Sequence, residues 1–73
     1  MSTIIMKIFA DRLKELRTCA ELTQKEIAER LNVKQQSYNR YELNTGEPSF
    51  ETLVKIAKLF QVSTDYLLGI ADY

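Results

Sequence analysis

Gln35, Gln36, Asn39 and Arg40 crowd one short stretch in which Tyr38 and Tyr41 are the apolar members. A glutamine amide carries a donor and an acceptor side by side, which matches the N7 and N6–H of adenine in a DNA major groove. A guanidinium matches the O6 and N7 of guanine in the same way. Gln36 and Arg40 stand four residues apart, so on a helix they share one face, with Asn39 beside them. In isolation the amides read more readily as solvated surface, although they open a helix, where side chains of the first turn project from its end. Val33, Tyr38 and Tyr41 offer that helix an inner face, and the tyrosines read as core more readily than as groups that reach a phosphate.

What must position these residues is the helix before them. Thr23-Gln24-Lys25-Glu26 fits a capping box, in which the Thr hydroxyl accepts from the amide three residues on and the Glu side chain reaches back. Ile27, Ala28 and Leu31 follow at helical spacing, which predicts a helix over about 23–31. Asn32 stands where a left-handed residue is wanted at its end. Only Val33 and Lys34 then separate it from the amide-bearing helix, so the two must cross steeply and touch, with small Ala28 as the natural contact.

The rest of the chain reads as helices around this pair. The amide-bearing helix fades between Glu42 and Asn44, and Asn44-Thr45-Gly46-Glu47-Pro48 is a loop. Ser49 or Pro48 opens a fourth helix, with Glu51 well placed for its dipole. Its apolar residues, Phe50, Leu53, Val54, Ile56, Ala57, Leu59 and Phe60, cover more than half of its circumference, which predicts a central place in the core. Ser63 caps a final short helix over 64–68, and Gly69 ends it. In the first helix Met6, Phe9, Leu13, Leu16 and Ala20 form a core-facing stripe. Ile4 and Ile8 fall on its other side, so residues 2–8 are either helix with an exposed apolar spot or an extended arm or strand. The expected fold is all-α: a single compact five-helix domain over residues 1–73, with 1–8 as a candidate N-terminal arm.

Composition excludes several kinds of function. The 73 residues suit one domain near the lower limit for an unaided core. There is no His, and the one cysteine, Cys19, reads as a small apolar residue near a helix end. No zinc spacing, catalytic dyad or imidazole base can be assembled, and two glycines make no phosphate loop. Neither an enzyme, a metal site, a cofactor nor a small-molecule ligand is expected. No apolar run approaches the ~20 residues of a membrane span, and no leader is evident. These features, with the unpaired cysteine, point to a cytoplasmic protein. The formal net charge is zero, yet residues 1–41 hold eight Lys and Arg against five Asp and Glu, and residues 42–73 hold two against five. The basic excess lies in the half with the amide-bearing helix, which predicts weak non-specific affinity for DNA phosphates.

From Arg12 to Gly69, about four-fifths of the chain, the sequence resembles the phage Cro/repressor-type (XRE-like) helix-turn-helix family. The residues that carry the resemblance are Arg12-Leu13-Lys14-Glu15-Leu16-Arg17, Leu22-Thr23-Gln24, Ile27-Ala28, the run from Val33 to Glu42, Glu47-Pro48-Ser49, Leu53, Ala57-Lys58 and Val62-Ser63-Thr64-Asp65-Tyr66-Leu67-Leu68-Gly69. The resemblance implies a lambda-repressor-like domain whose second and third helices form the helix-turn-helix, and which binds a double-stranded operator, usually as a homodimer, to repress or activate transcription. It implies that Gln35, Gln36 and Arg40 read bases, with Asn39 a further candidate beside them. It implies that Gln24 contacts a phosphate and buttresses Gln35, and that Ser37, Asn44 and Thr45 meet the backbone. It also implies an internal ion pair between Arg17 and Glu42.

Two positions depart from the family pattern. Lys34 stands where a Ser often caps the third helix, which costs about 1 kcal/mol and opposes the dipole; a phosphate contact by Lys34 would rationalise it. Gly46 stands where a basic residue is frequent. The apolar groups near the chain ends, Ile4, Ile5, Ile8 and Ile70, either fill out the core or form a dimer seam. The expected function is therefore transcriptional repression by operator occupancy. The rival is a protein-contact module of the same fold, such as an antitoxin or adaptor.

Overall fold

In the computed structural model, which describes residues 3–72, five helices follow in order: α1 (Thr3–Cys19), α2 (Gln24–Leu31), α3 (Gln35–Glu42), α4 (Phe50–Phe60) and α5 (Thr64–Leu67). No strand occurs among the described residues. α1 packs against α3 and α5, α2 against α3 and α4, and α4 against α5. The core gathers Phe9 and Leu13 of α1, Ile27, Ala28 and Leu31 of α2, Tyr38 and Tyr41 of α3, Ile56 and Ala57 of α4, and Leu67 of α5. At eight residues each, α2 and α3 are too short to persist alone in water, where about 12–15 residues is marginal. Their shape comes from this shared core.

Local chemistry sets the boundaries. Thr23 Oγ1 accepts from the Glu26 amide at 3.1 Å while the Thr23 amide donates to Glu26 Oε1 at 2.9 Å, so the capping box is complete. Asn32 adopts φ 57°, the left-handed conformation expected of it. Ser49 and Ser63 cap α4 and α5 through their hydroxyls. Lys34 makes no side-chain cap bond. Two further helix ends turn through left-handed residues that are neither Gly nor Asn, Glu21 at φ 58° and Gln61 at φ 56°. Sequence carries little signal for such turns, since any L-residue there is strained by roughly 1–2 kcal/mol.

Two alternatives left open by the sequence are decided and two expectations are corrected. Residues 3–8 are helix, the first turns of α1; residues 1 and 2 lie outside the described residues. Ile8 leans on the end of α5, where a Cβ added at Gly69 would lie 2.9 Å from its Cδ1. That packing removes Ile8 from the apolar groups free to form a seam and rewards helix over extended backbone. Ala20 is exposed and lies beyond the end of α1, because the chain turns at Glu21 and brings the half-buried Leu22 inward instead. Helix α4 is not buried all round: Ile56 and Ala57 enter the core and Leu53, Leu59 and Phe60 pack half-buried against it, but Phe50 is 88% exposed and Val54 44%, so part of the apolar circumference is an uncovered face.

Clamping α1 to the chain end is a feature the sequence reading did not assign. Arg12 Nη1 donates to the Tyr66 carbonyl and, at 2.8 Å, to that of Ala71. Its guanidinium lies 4.3 Å from the centre of the Tyr66 ring, an attractive cation–π arrangement.

The α4 correction yields an expected outcome. Ile56→Ala should cost about 2–5 kcal/mol, as for any large aliphatic lost from a core, whereas Phe50→Ser should stay within about 0.5 kcal/mol. Urea denaturation of both variants checks this. A Phe50→Ser loss comparable to that of Ile56→Ala would mean the face is covered within the chain.

Candidate nucleic-acid interface

α3 presents two faces with different contents. Tyr38 and Tyr41 are buried on the inner one, their rings meeting edge to face with centroids 6.0 Å apart. On the outer one Gln35, Gln36 and Arg40 are exposed, and Ser37 and Asn39 are half-buried. Gln35, Gln36 and Asn39 line a shallow depression of about 310 Å³ together with Gln24 from the start of α2. The expected reading residues and the expected start of α2 are thus brought together on one surface. Lys34 stands exposed at the N-terminus of α3, where the first-turn amides have no side-chain acceptor; such amides and the helix dipole favour an anion.

Asn44 and Thr45 follow α3 directly. Asn44 takes φ 62° and Thr45 donates its amide to the Arg40 carbonyl at 3.0 Å, so both are held by the turn that leaves the helix. The Oδ1 of Asn44 is buried without a hydrogen bond. Gly46 has a spatial reason: a Cβ there would lie 3.1 Å from Arg40 Cβ. A side chain at position 46 would press on the stem of Arg40, which would have to give by a few tenths of an ångström.

Behind this surface sits an interior polar cluster centred on Glu42, whose side chain is 3% exposed. Arg17 of α1 meets it through two bonds, Nε to Oε2 at 2.6 Å and Nη2 to Oε1 at 3.0 Å. The third guanidinium nitrogen donates to the Leu22 carbonyl at 2.9 Å. The Tyr38 hydroxyl donates to Glu42 Oε2, and Gln24 Nε2 donates to Oε1 at 3.1 Å. The expected Arg17–Glu42 pair is present, but sequence reasoning missed both additional donors. Tyr38 could have been found, since it stands one turn before Glu42 on the same helix. Nothing local marks the bond from Gln24, whose amide nitrogen turns to Glu42 while the side chain also lines the depression beside Gln35.

The electrostatics follow from this wiring. Burial pushes the Glu42 carboxyl up, but bonds from Arg17, Tyr38 and Gln24 outweigh it and hold the group below the usual carboxylate range. Burial, reinforced by the bond to Glu42, pushes the Tyr38 phenol far up. The bond to Glu42 raises the Arg17 guanidinium despite its partial burial. All three stay in their bonded forms at neutral pH: carboxylate, phenol and guanidinium. Among the described residues no group of His, Cys, Asp or Glu could hold a metal, and no helix is long and apolar enough to cross a membrane.

Comparison with known proteins agrees with this geometry. The family described as helix-turn-helix matches residues 13–67. The chain is 50% identical over 58 residues to the HTH-type transcriptional regulator ImmR of Bacillus subtilis, an alignment covering 80% of this chain and 46% of that protein. It is 37% identical over 65 residues to the uncharacterized HTH-type transcriptional regulator YobD of the same organism, covering 89% and 58%. It is 39% identical over 64 residues to the cryptic phage CTXphi transcriptional repressor RstR of Vibrio cholerae, covering 88% and 56%. The chain spans about half the length of the curated relatives it matches.

The cluster sets a stability expectation with a sign. Glu42→Ala strands the Arg17 charge in a largely buried site and should cost about 3–5 kcal/mol. Because the folded carboxyl titrates below its unfolded value of about 4.3, its contribution is fully present above roughly pH 5 and is lost progressively as pH falls below the unfolded value and through the lower folded one. Thermal melts from neutral to acid pH check both points. Glu42→Gln should flatten the acid limb; a limb as steep as wild type, or a Glu42→Ala melt within a degree or so of it, would remove the cluster from the stability account.

Proposed function

The chain belongs to the helix-turn-helix family, and on that premise we propose that it reads double-stranded DNA with α3 and represses transcription by occupying an operator. The observation that carries this reading is the division of α3. Its tyrosines are committed to the core, while Gln35, Gln36 and Arg40 stand together on the exposed face, the residue types whose hydrogen-bonding edges fit adenine and guanine. Asn39 flanks them. Lys34, Ser37, Asn44 and Thr45 lie at the two ends and along the side of the same face, where they would meet phosphates and set register. The relatives named for transcriptional regulation support the same class of function.

The protein acts as a homodimer in this reading. One helix of eight residues spans too few base pairs to select a site, and two copies would face half-sites about 34–36 Å apart. Ile4 and Ile70 are each 72% exposed and Ile5 45%, and with Ile8 turned toward Gly69 they form the proposed seam. The rival, a protein-contact module such as an antitoxin or adaptor, draws on one observation: exposed Phe50 and Leu43 add apolar surface outside the reading face.

Competition binding separates the two. On a duplex selected from random sequence, Gln36→Ala should relax preference at one or two positions, worth about 1–3 kcal/mol of discrimination, and leave scrambled-duplex affinity nearly unchanged. Lys34→Ala should weaken all duplexes alike and shallow the salt dependence by about 0.9. A wild-type protein that prefers no duplex by more than a few-fold would favour the adaptor. Analytical ultracentrifugation at micromolar concentration, with and without the selected duplex, checks the dimer; a monomer in both conditions would exclude it.

A further inference from the structure

Gly46 is a glycine whose backbone does not call for one. Its φ lies outside the left-handed region, which of the two glycines only Gly69 occupies. What sets the position apart is space. A Cβ there would lie 3.1 Å from Arg40 Cβ and 3.8 Å from Arg40 Cδ, and both atoms it would meet belong to that one side chain. The loop is pinned in this approach. Asn44 turns it back at φ 62°, and the Thr45 amide and hydroxyl donate to the Arg40 carbonyl at 3.0 and 3.5 Å. Arg40 Cβ is pinned as well, because no side-chain rotation moves a Cβ and the buried Tyr38 and Tyr41 hold α3 in place. The loop therefore closes on the stem of a proposed reading residue at the one position that carries no side chain.

We propose that Gly46 is a positioning residue for base reading and acts through Arg40. A long arginine stem samples many rotamers when free, and binding must select among them at a cost in affinity. The wall made by the loop at Gly46 removes part of that cost in advance, because it favours rotamers in which the stem runs along the backbone. The guanidinium stays exposed at the end of this packed stem, where it can bridge the O6 and N7 of guanine. A Cβ at position 46 forces loop and stem apart by a few tenths of an ångström and takes the fit away. This role rests on Arg40 reading a base, as proposed above.

The test compares discrimination at two base pairs of the selected duplex. Arg40→Ala identifies the pair whose preference depends on Arg40, and Gln36→Ala identifies another. Gly46→Ala should lower discrimination at the Arg40 pair about fivefold, the scale of one long side chain left to be ordered on binding. Discrimination at the Gln36 pair should stay within about twofold. An unfolded fraction lowers affinity for every duplex alike, so neither ratio responds to a merely structural role. In an Arg40→Ala background, Gly46→Ala should leave the ratio of selected to scrambled affinity within about twofold. An unchanged ratio at the Arg40 pair, an equal fall at both pairs, or an undiminished effect without Arg40 overturns the proposal. Free wild-type protein supplies a second readout that needs no variant to fold. Carbon relaxation at Arg40 Cδ should report restricted motion relative to exposed Arg30 of α2, with a proton–proton contact between Gly46 Hα and the Arg40 stem. Motion like that of Arg30 overturns the positioning claim whether or not the protein reads DNA. A preference unchanged at every pair in Arg40→Ala, with the stem restricted, overturns base reading by Arg40 and the role of Gly46 with it.

Discussion

A carboxylate buried at the C-terminal end of α3 is the constraint on which the rest of the arrangement depends. Taking Glu42 out of water costs several kcal/mol unless its oxygens are satisfied, and here four hydrogen bonds from three side chains do so. Those side chains come from α1, the start of α2 and the preceding turn of α3. Satisfying one charge therefore fixes three helices relative to one another. Arg17 extends the tie further through the Leu22 carbonyl, which holds the turn between α1 and α2. A hydrophobic replacement of the whole cluster could give equal stability, but it would not fix the axial rotation of α3 in the same way. Apolar contacts tolerate sliding; a bidentate guanidinium–carboxylate pair does not.

That rotation is what the proposed function needs. α3 is only eight residues long and lacks a side-chain cap. It holds its shape because Tyr38 and Tyr41 are packed and Glu42 is tied. The residues left outward are then Gln35, Gln36, Asn39 and Arg40, with the Arg40 stem resting against Gly46. Small rotations would exchange buried tyrosine for exposed amide. Arg12 fastens α1 to the carbonyls of Tyr66 and Ala71, so two arginines of the same helix hold the frame, one to α3 and one to the segment that follows α4.

Helix positions follow from short-range signals in the sequence: the capping box at Thr23, the left-handed Asn32, the serines before α4 and α5. Each acts within one turn, so each can be read from neighbouring residues. The Arg17–Glu42 pair is a different case. It spans two distant helices and came from family resemblance, not from spacing. The bond from Gln24 to Glu42 and the clamp made by Arg12 went unassigned because their partners, a distant carboxylate and two backbone carbonyls, leave no periodic mark. Phe50 was misplaced for a related reason. Hydrophobic periodicity reports which residues avoid water on average, but not whether a neighbouring helix exists to cover them, and the side of α4 that carries Phe50 and Val54 has none. The first turns of α1 were ambiguous because isoleucine suits strand and helix alike, and the contact of Ile8 with Gly69 settles them only once the chain end is in place.

The most direct measurement of the central claim is a crystal structure of the protein on its selected duplex. The account predicts α3 lying in the major groove with the Gln35 and Gln36 amides within hydrogen-bonding distance of base edges, Arg40 on the same strip, and Glu42 still bound to Arg17, Tyr38 and Gln24. A complex in which another face meets the DNA, or in which α3 touches phosphates alone while its amides remain in solvent, would contradict it.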